Sequence, residues 1–260
     1  MIVAQISDLH IGEKGTLAYD RFDTGARLAR CVAHLRGLRP QPDVVLATGD
    51  LVNNGGAGEY RVLRELLAPL PMPVYVIPGN HDERGALCNA FPDHAYLPQP
   101  GAPVHYVVEA LPVRLIGLDT VVPGATGGAL DAAQLDWLDA QLAAQRDRAT
   151  LIFMHHPPVA SGIRSMDAIA LDAQSAARLG AVVSRYRHVE LITCGHVHRA
   201  FQARWHGTTV SVCPSTAFQG VLDFAAERYN ICGDEPPAYQ LHCWNGAGLL
   251  THTVSVMGES

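Results

Sequence analysis

Lysines and arginines never stand next to one another in this 260-residue chain, and 19 of them against 25 acidic residues leave a formal charge of −6. Such a balance offers no electrostatic footprint for nucleic acid, and a small anionic substrate would need a cation to receive it. A long apolar run is missing too. The chain starts M-I-V-A-Q-I-S, with no basic leader and few apolar residues before polar ones, which argues against a signal peptide or membrane anchor and for a cytoplasmic location. No C-x-x-C pair occurs. The six cysteines lie at irregular spacings, several inside apolar segments, and read as reduced thiols that pack as small hydrophobes. There is no internal repeat, low-complexity tract or long linker, so a single large α/β domain is the economical reading.

What is present is a series of short Val/Ile-rich runs at 2–6, 44–47, 74–77, 113–118, 150–154 and 189–193. Their continuous apolar character predicts strands buried on both faces. Helical spacing recurs between several of them, at 24–38, 59–68, 131–144 (with Asp131 as N-cap) and 172–186. Strands alternating with helices predict a layered α/β sandwich. The last residues differ: Q-L-H-C-W, then N-G-A-G, then L-L-T-H-T-V-S-V predicts a β-hairpin. We divide the chain into a main domain over 1–224 and a hairpin extension over 225–260, an edge or dimer cap of the same domain, whose open edge would suit a homodimer or higher homo-oligomer.

The chemistry-bearing residues follow the strands. Residues 74–82 read V-Y-V-I-P-G-N-H-D, so a buried run stops at Pro-Gly and delivers Asn80, His81 and Asp82. Other strands end alike. Asp8 and His10 follow the first, Gly49-Asp50 the second, His155-His156 the strand L-I-F-M, and Gly195-His196-Val197-His198 the strand L-I-T-C. Carboxyl ends of strands converge on one crevice in α/β folds, so residues spread over the whole chain can meet. Carboxylate, amide and imidazole donors without thiolate argue against a structural zinc site, and the imidazoles are too many for calcium or magnesium. They suit transition ions.

In order, D-x-H, G-D, G-N-H-D, H and G-H-x-H are the blocks of the calcineurin-like metallophosphoesterases, and residues 2 to about 216 resemble that family. The resemblance implies a four-layer αββα sandwich of two mixed β-sheets flanked by helices. It also implies two divalent or mixed-valence transition ions (Mn, Fe, Co or Zn). One is held by Asp8, His10, Asp50 and His198, the other by Asp50, Asn80, His155 and His196, with Asp50 bridging. Two such ions can hold a shared hydroxide in line with phosphorus. His81, not counted as a ligand, is assigned to protonate the leaving alkoxide; Asp82 is left to support its loop.

Within the family, G-N-H-D, H-H-P-P at 155–158 and P-S-T at 214–216 look like the bacterial cyclic-nucleotide phosphodiesterases and the glycerophosphodiesterases. Protein phosphatases follow G-D with Asp and Arg, whereas this chain has G-D-L-V-N-N-G and lacks that grip on a dianion. Hydrolysis of small phosphodiesters, cyclic nucleotides or glycerophosphodiesters, is therefore expected. A nuclease and a non-catalytic metal-binding scaffold are the rival readings. Tyr19, Asn53, His156 and Phe218 are weaker candidates for substrate contact: Phe218 could stack on a base or simply pack, and His156 could touch substrate or only position its neighbours.

Overall fold

The computed structural model describes residues 1–225, 227–232 and 235–257. Its first sheet begins with β1 (Ile2–Ile6), β2 (Val44–Thr48) and β3 (Val74–Ile77), which pair in parallel. The chain's last two strands, β12 (Ala238–Trp244) and β13 (Leu249–Ser255), complete it in the order β13-β12-β1-β2-β3. β12 lies antiparallel against β1 with Ile2 opposite Cys243, so the hairpin forms one side of this sheet and β13 is its edge. Parts of the 225–260 segment, residues 226, 233–234 and 258–260, lie outside the described residues.

The second sheet has the order β4-β5-β6-β7-β9-β8. Its centre is the parallel set β5 (Arg114–Leu118), β6 (Thr150–Met154), β7 (Val189–Cys194) and β9 (Thr208–Val212). β4 (Tyr106–Val108) and β8 (Phe201–Trp205) are its antiparallel edges. The short pair β10 (Gln219–Gly220) and β11 (Ile231–Cys232) stands apart. Edge strands β4 and β8 and the short β10 and β11 are absent from the pattern reading because their residues alternate or are too few to form a run.

Helices cover the outer faces. α1 (Thr24–Gly37) and α2 (Ala57–Leu67) lie on the first sheet, where Leu28, Val32, Leu35 and Leu63 join the cluster around Val45 and Leu46. α3 (Arg84–Ala90) packs beside α2. The short α5 is Arg164–Asp167, while α4 (Ala132–Ala144) and α6 (Ala173–Val183) cover the second sheet. Along β6 the pleat divides the side chains. Leu151 and Phe153 face the first sheet, whereas Ile152 and Met154 face the outer helices. Two mixed sheets flanked by helices make the fold the α/β sandwich expected. Asp23, Asp131 and Asp172 cap α1, α4 and α6 by accepting from backbone N–H groups in the first turn.

Candidate metal centre

The ends of β1, β2 and β3 in one sheet and of β6 and β7 in the other meet at one rim of the sandwich. The turns after β1 and β2 are laced together, the N–H groups of Leu9 and His10 both donating to the Asp50 carbonyl at 2.8 and 2.9 Å. Strain is concentrated here. Asp8 (φ 53°), His10 (45°), Asp50 (47°), His196 (73°) and His198 (53°) all occupy the left-handed region that residues with a Cβ avoid. Space explains one glycine of the motif: a Cβ on Gly79 would collide with the Asp50 backbone and carboxylate and with the His155 ring.

These constraints bring the expected donors together. The ligand atoms of Asp8, His10, Asp50 and His198 all lie within 4.8 Å of one another. His10 Nε2 and His198 Nε2 stand 3.0 Å apart, and Asp8 Oδ1 is 3.5 Å from His198 Nε2. Beside them Asn80 Oδ1 lies 3.2 Å from His155 Nε2 and 3.0 Å from His196 Nδ1. Asp50 faces both groups, with Oδ2 3.7 Å from His10 Nε2 and Oδ1 3.4 Å from His155 Nε2. Donors bound 2.0–2.2 Å from a common ion stand roughly 3 to 3.5 Å apart, so the spacing fits coordination.

Hydrogen bonds from the outer side aim several of these donors. His155 Nδ1–H donates to the Thr48 carbonyl (2.9 Å) and His198 Nδ1–H to the Phe218 carbonyl (2.9 Å), which turns both Nε2 lone pairs inward. The backbone N–H of His196 donates to the Asp8 carboxylate at 3.0 Å. Thr48 was not singled out from sequence; its position two residues before Asp50 is the only signal it offers.

The charges also suit cations. Asp8 and Asp50 are 0% and 2% exposed, and among the described residues neither is paired with a lysine or arginine. Burial raises Asp8. Burial opposes ionisation of Asp50 as well, but His155 outweighs it and holds Asp50 well below the usual carboxylate range. His155 is correspondingly driven up to about 9, burial being overcome by the Asp50 charge. Burial lowers His10 and His196 and keeps them neutral lone-pair donors. Buried His10 Nδ1 and His196 Nε2 have no hydrogen-bond partner among the described residues. Two carboxylates, an amide and four imidazoles thus fit divalent ions of N/O preference.

The remaining candidates separate. His81 borders the cavity of about 100 Å³ over the donors, together with Tyr19, Met166, Ile169 and Tyr229. Its Nδ1–H donates to the Asn53 carbonyl (2.8 Å), leaving Nε2 uncommitted. Asn53 therefore meets the site through its backbone. Asp82 accepts from the N–H groups of Leu51 (3.0 Å) and Gly79 (2.8 Å) and from the Tyr60 hydroxyl (2.8 Å), supporting the loop. Tyr19 is 61% exposed at the mouth.

Phe218 and His156 are fully buried. The Phe218 ring lies against His198 (4.9 Å between centroids) and His10 (5.2 Å), so packing is the role observed, at the border of the same cavity. His156 sits within ligand distance of His155 and His196. Its nitrogens are nevertheless spent, Nε2–H donating to the Thr126 carbonyl (3.1 Å) and Nδ1 accepting from the Thr120 hydroxyl (2.8 Å). It touches the other imidazoles by ring contact, 4.8 Å to His155 and 4.6 Å to His196. Thr120 was missed although it too follows a strand, L-I-G-L-D-T.

Strand-end donors of this kind on this sandwich define a phosphoesterase, and the chain belongs to the family described as "Calcineurin-like phosphoesterase", whose model matches residues 1–200. Among curated relatives it is 39% identical over 254 residues to a probable glycerophosphodiester phosphodiesterase, GpdQ, of Arcobacter nitrofigilis, covering 97% of this chain and 92% of that one. It is 30% identical over 217 residues to the 3',5'-cyclic adenosine monophosphate phosphodiesterase CpdA of Escherichia coli K12 (84% and 76% covered). A dimetal phosphatase from Danio rerio shares the fold, with a TM-score of 0.64 at 15% identity over 99% of each chain. Among the described residues no helix is long and apolar enough to cross a membrane.

Proposed function

We propose that the protein hydrolyses small phosphodiesters at a dinuclear metal centre, with glycerophosphodiesters as its substrate class. The observation that carries the two-ion reading is the position of Asp50, whose two oxygens address His10 and His155 separately. One carboxylate then serves Asp8, His10 and His198 on one side and Asn80, His155 and His196 on the other. His156 is left out of the second set because both of its nitrogens are committed. Bound there, two transition ions supply Lewis-acid charge to the phosphoryl oxygens and lower the pKa of water for attack.

The chain's own groups do the rest. Among the described residues no lysine or arginine lines the cavity, so none of them grips the second charge of a monoester, while a diester's single charge is met by the cations. His81, oriented by the Asn53 carbonyl, presents Nε2 to the cavity and in its protonated form donates to the departing alkoxide. The cavity of about 100 Å³ favours a compact alcohol over a nucleobase. Cyclic nucleotides are the second reading, supported by exposed Tyr19 at the mouth and by the CpdA relative.

A metal-reconstituted panel of glycerophosphodiesters, cyclic AMP, cyclic GMP, bis(p-nitrophenyl) phosphate and p-nitrophenyl phosphate tests the proposal. We expect kcat/KM to be highest for a glycerophosphodiester and higher for the nitrophenyl diester than for the monoester. A monoester preference would overturn the diester reading, and no turnover at all would favour the scaffold. We also propose self-association through β13, whose backbone edge is open and whose Leu250 is 54% exposed. Sedimentation showing only monomer at micromolar concentration would reject it.

A further inference from the structure

The space between the two sheets is largely apolar, with Leu115, Leu151, Phe153 and Leu191 packed toward the first sheet. At its centre the chemistry changes. Gln5, Thr48, Gln240 and His242 project from the first sheet and Thr193 and Ser211 from the second, each 0–1% exposed. Gln5 is the hub. Its Nε2 donates to Thr48 Oγ1 (2.8 Å) and across the sheets to the Cys194 carbonyl (2.9 Å). Its Oε1 accepts from the Thr193 hydroxyl of the opposite sheet and from His242 Nε2–H (3.1 Å). His242 Nδ1 accepts from the Thr251 hydroxyl (2.9 Å). Beside this, Ser211 Oγ donates to Gln240 Oε1 (3.0 Å), and Gln240 Nε2 donates to the Val212 carbonyl (3.1 Å), again crossing between sheets.

We propose that this polar seam, centred on Gln5 and His242, sets the register between the two sheets on which the metal centre depends, which makes Gln5 and His242 positioning residues. The inference rests on the two-ion reading above. The strands that carry the seam also carry the ligands: Gln5 lies three residues before Asp8, Thr48 two before Asp50, and Thr193 three before His196. Every close donor contact that joins the sheets at the site depends on how the sheets are aligned, including His10 to His198 at 3.0 Å and Asn80 to His196 at 3.0 Å.

Apolar contact is non-directional, and a slide of a few tenths of an ångström between two greasy faces costs little. Hydrogen bonds are directional and weaken steeply when misaligned. A fully satisfied polar network in a buried core is therefore a device for alignment rather than for stability, since apolar residues of like size would bury more favourably. The Thr48 carbonyl extends the seam to the site itself by accepting from His155 Nδ1–H. Through His242 the C-terminal hairpin, which carries no ligand, acquires a role in holding metal.

The test uses the full chain with both Gln5→Leu and His242→Leu. The groups left behind keep partners: Thr193 can donate to the Ser211 carbonyl, Thr48 to the Ile6 carbonyl, and the Cys194 carbonyl still accepts from Cys213 N–H. Cobalt(II) titration followed by visible absorption reads affinity and ligand geometry independently of turnover, and thermal unfolding reads the fold. We expect a folded protein whose weaker-bound cobalt is held about 10–100-fold less tightly, with shifted absorption bands. Unchanged affinity and spectrum in the folded variant would overturn the proposal.

Should the double variant fail to fold, the nearly isosteric Thr193→Val removes one hydroxyl of the seam, with its cross-sheet contacts to Gln5 and His242 and its bond to the Ser211 carbonyl, and leaves Gln5 and His242 in place. A weaker loss in the same direction is expected, and no change is again fatal. His242→Gln keeps an amide donor near Nε2 and should retain cobalt affinity, whereas His242→Leu alone should not; equal behaviour of the two would reduce the seam to packing. A wild-type protein that binds fewer than two cobalt ions would instead sink the two-ion reading.

Discussion

Strands β1, β2 and β3 of the first sheet end in Asp8, His10, Asp50 and Asn80, whereas β6 and β7 of the second end in His155, His196 and His198. Both carboxylates and the amide thus come from one sheet, and the other contributes imidazoles alone. The negative charge of the site is built on a rigid parallel trio and is neutralised from across the gap. His155 holds Asp50 ionised, and Asp50 in turn raises His155, although they belong to different sheets. Under the two-ion proposal, a division of this kind makes the two halves fail differently: loss on the carboxylate side removes charge that both ions would share, while loss on the imidazole side removes one donor or its orientation.

The largest effect should come from the residue that belongs to both halves. Asp50→Asn is expected to lower kcat/KM by about 10³-fold or more and to reduce both metal equivalents, measured by elemental analysis after desalting. A variant that keeps one tight ion and full activity would break the comparison. Next stands His81, which borders the site without being counted as a ligand. His81→Ala should retain both ions and lose about 10²–10⁴ in kcat for substrates with an alkoxide leaving group. Much of the nitrophenyl activity should survive, because nitrophenolate departs without a proton. Equal losses would reassign His81 to stabilising the phosphoryl charge, and loss of metal would make it a ligand support.

Smaller effects sharpen the contrast. Asn80→Ala should weaken the ion shared with His155 and His196, and excess metal should restore part of the activity; failure to rescue would place Asn80 outside the coordination sphere. Thr120→Val frees His156 Nδ1 from its hydroxyl partner, and its effect should fall on the imidazole side, about tenfold on the weaker-bound ion with the other untouched. Metal titration checks this, and an equal loss at both positions would show that the halves are not separable.

The smallest change concerns stability. Burial pushes His242 down to about 3, and its side-chain neighbours Gln5, Thr193 and Thr251 do not titrate. Its unfolded value is about 6.5, so below that pH the unfolded chain binds a proton that the folded chain refuses. The stabilising contribution is whole above about pH 6.5 and is lost as pH falls toward 3. Denaturant unfolding of His242→Gln should show a shallower decline over that window, and parallel curves would reject the assignment.

Much of the site was legible because each motif is local. Gly-Asp, Gly-Asn-His and Gly-His-x-His place a polar donor at the first turn after an apolar run, and the glycines are required by contacts within a few ångströms. What could not be read was any residue defined by a distant partner. Thr48 matters through its carbonyl, Thr120 through His156, and Tyr229, Met166 and Ile169 line the cavity from loops with no pattern of their own. Phe218 shows the same limit from the other side, since only the packed structure reveals that His10 and His198 occupy its ring.

By itself the sequence determined which donor types stand at which strand ends, and the alternation of strands and helices that makes those ends converge. Both follow from short-range periodicity and turn chemistry, which act between neighbours along the chain. Only the tertiary structure decided that Asp50 turns its two oxygens to different histidines, that His156 is spent on two threonines, and that a polar seam ties the C-terminal hairpin to the opposite sheet. These depend on the relative placement of two sheets whose bonded residues, such as Gln5 and Thr193, lie 188 positions apart, and directional bonds across that distance leave no periodic trace in the order of residues.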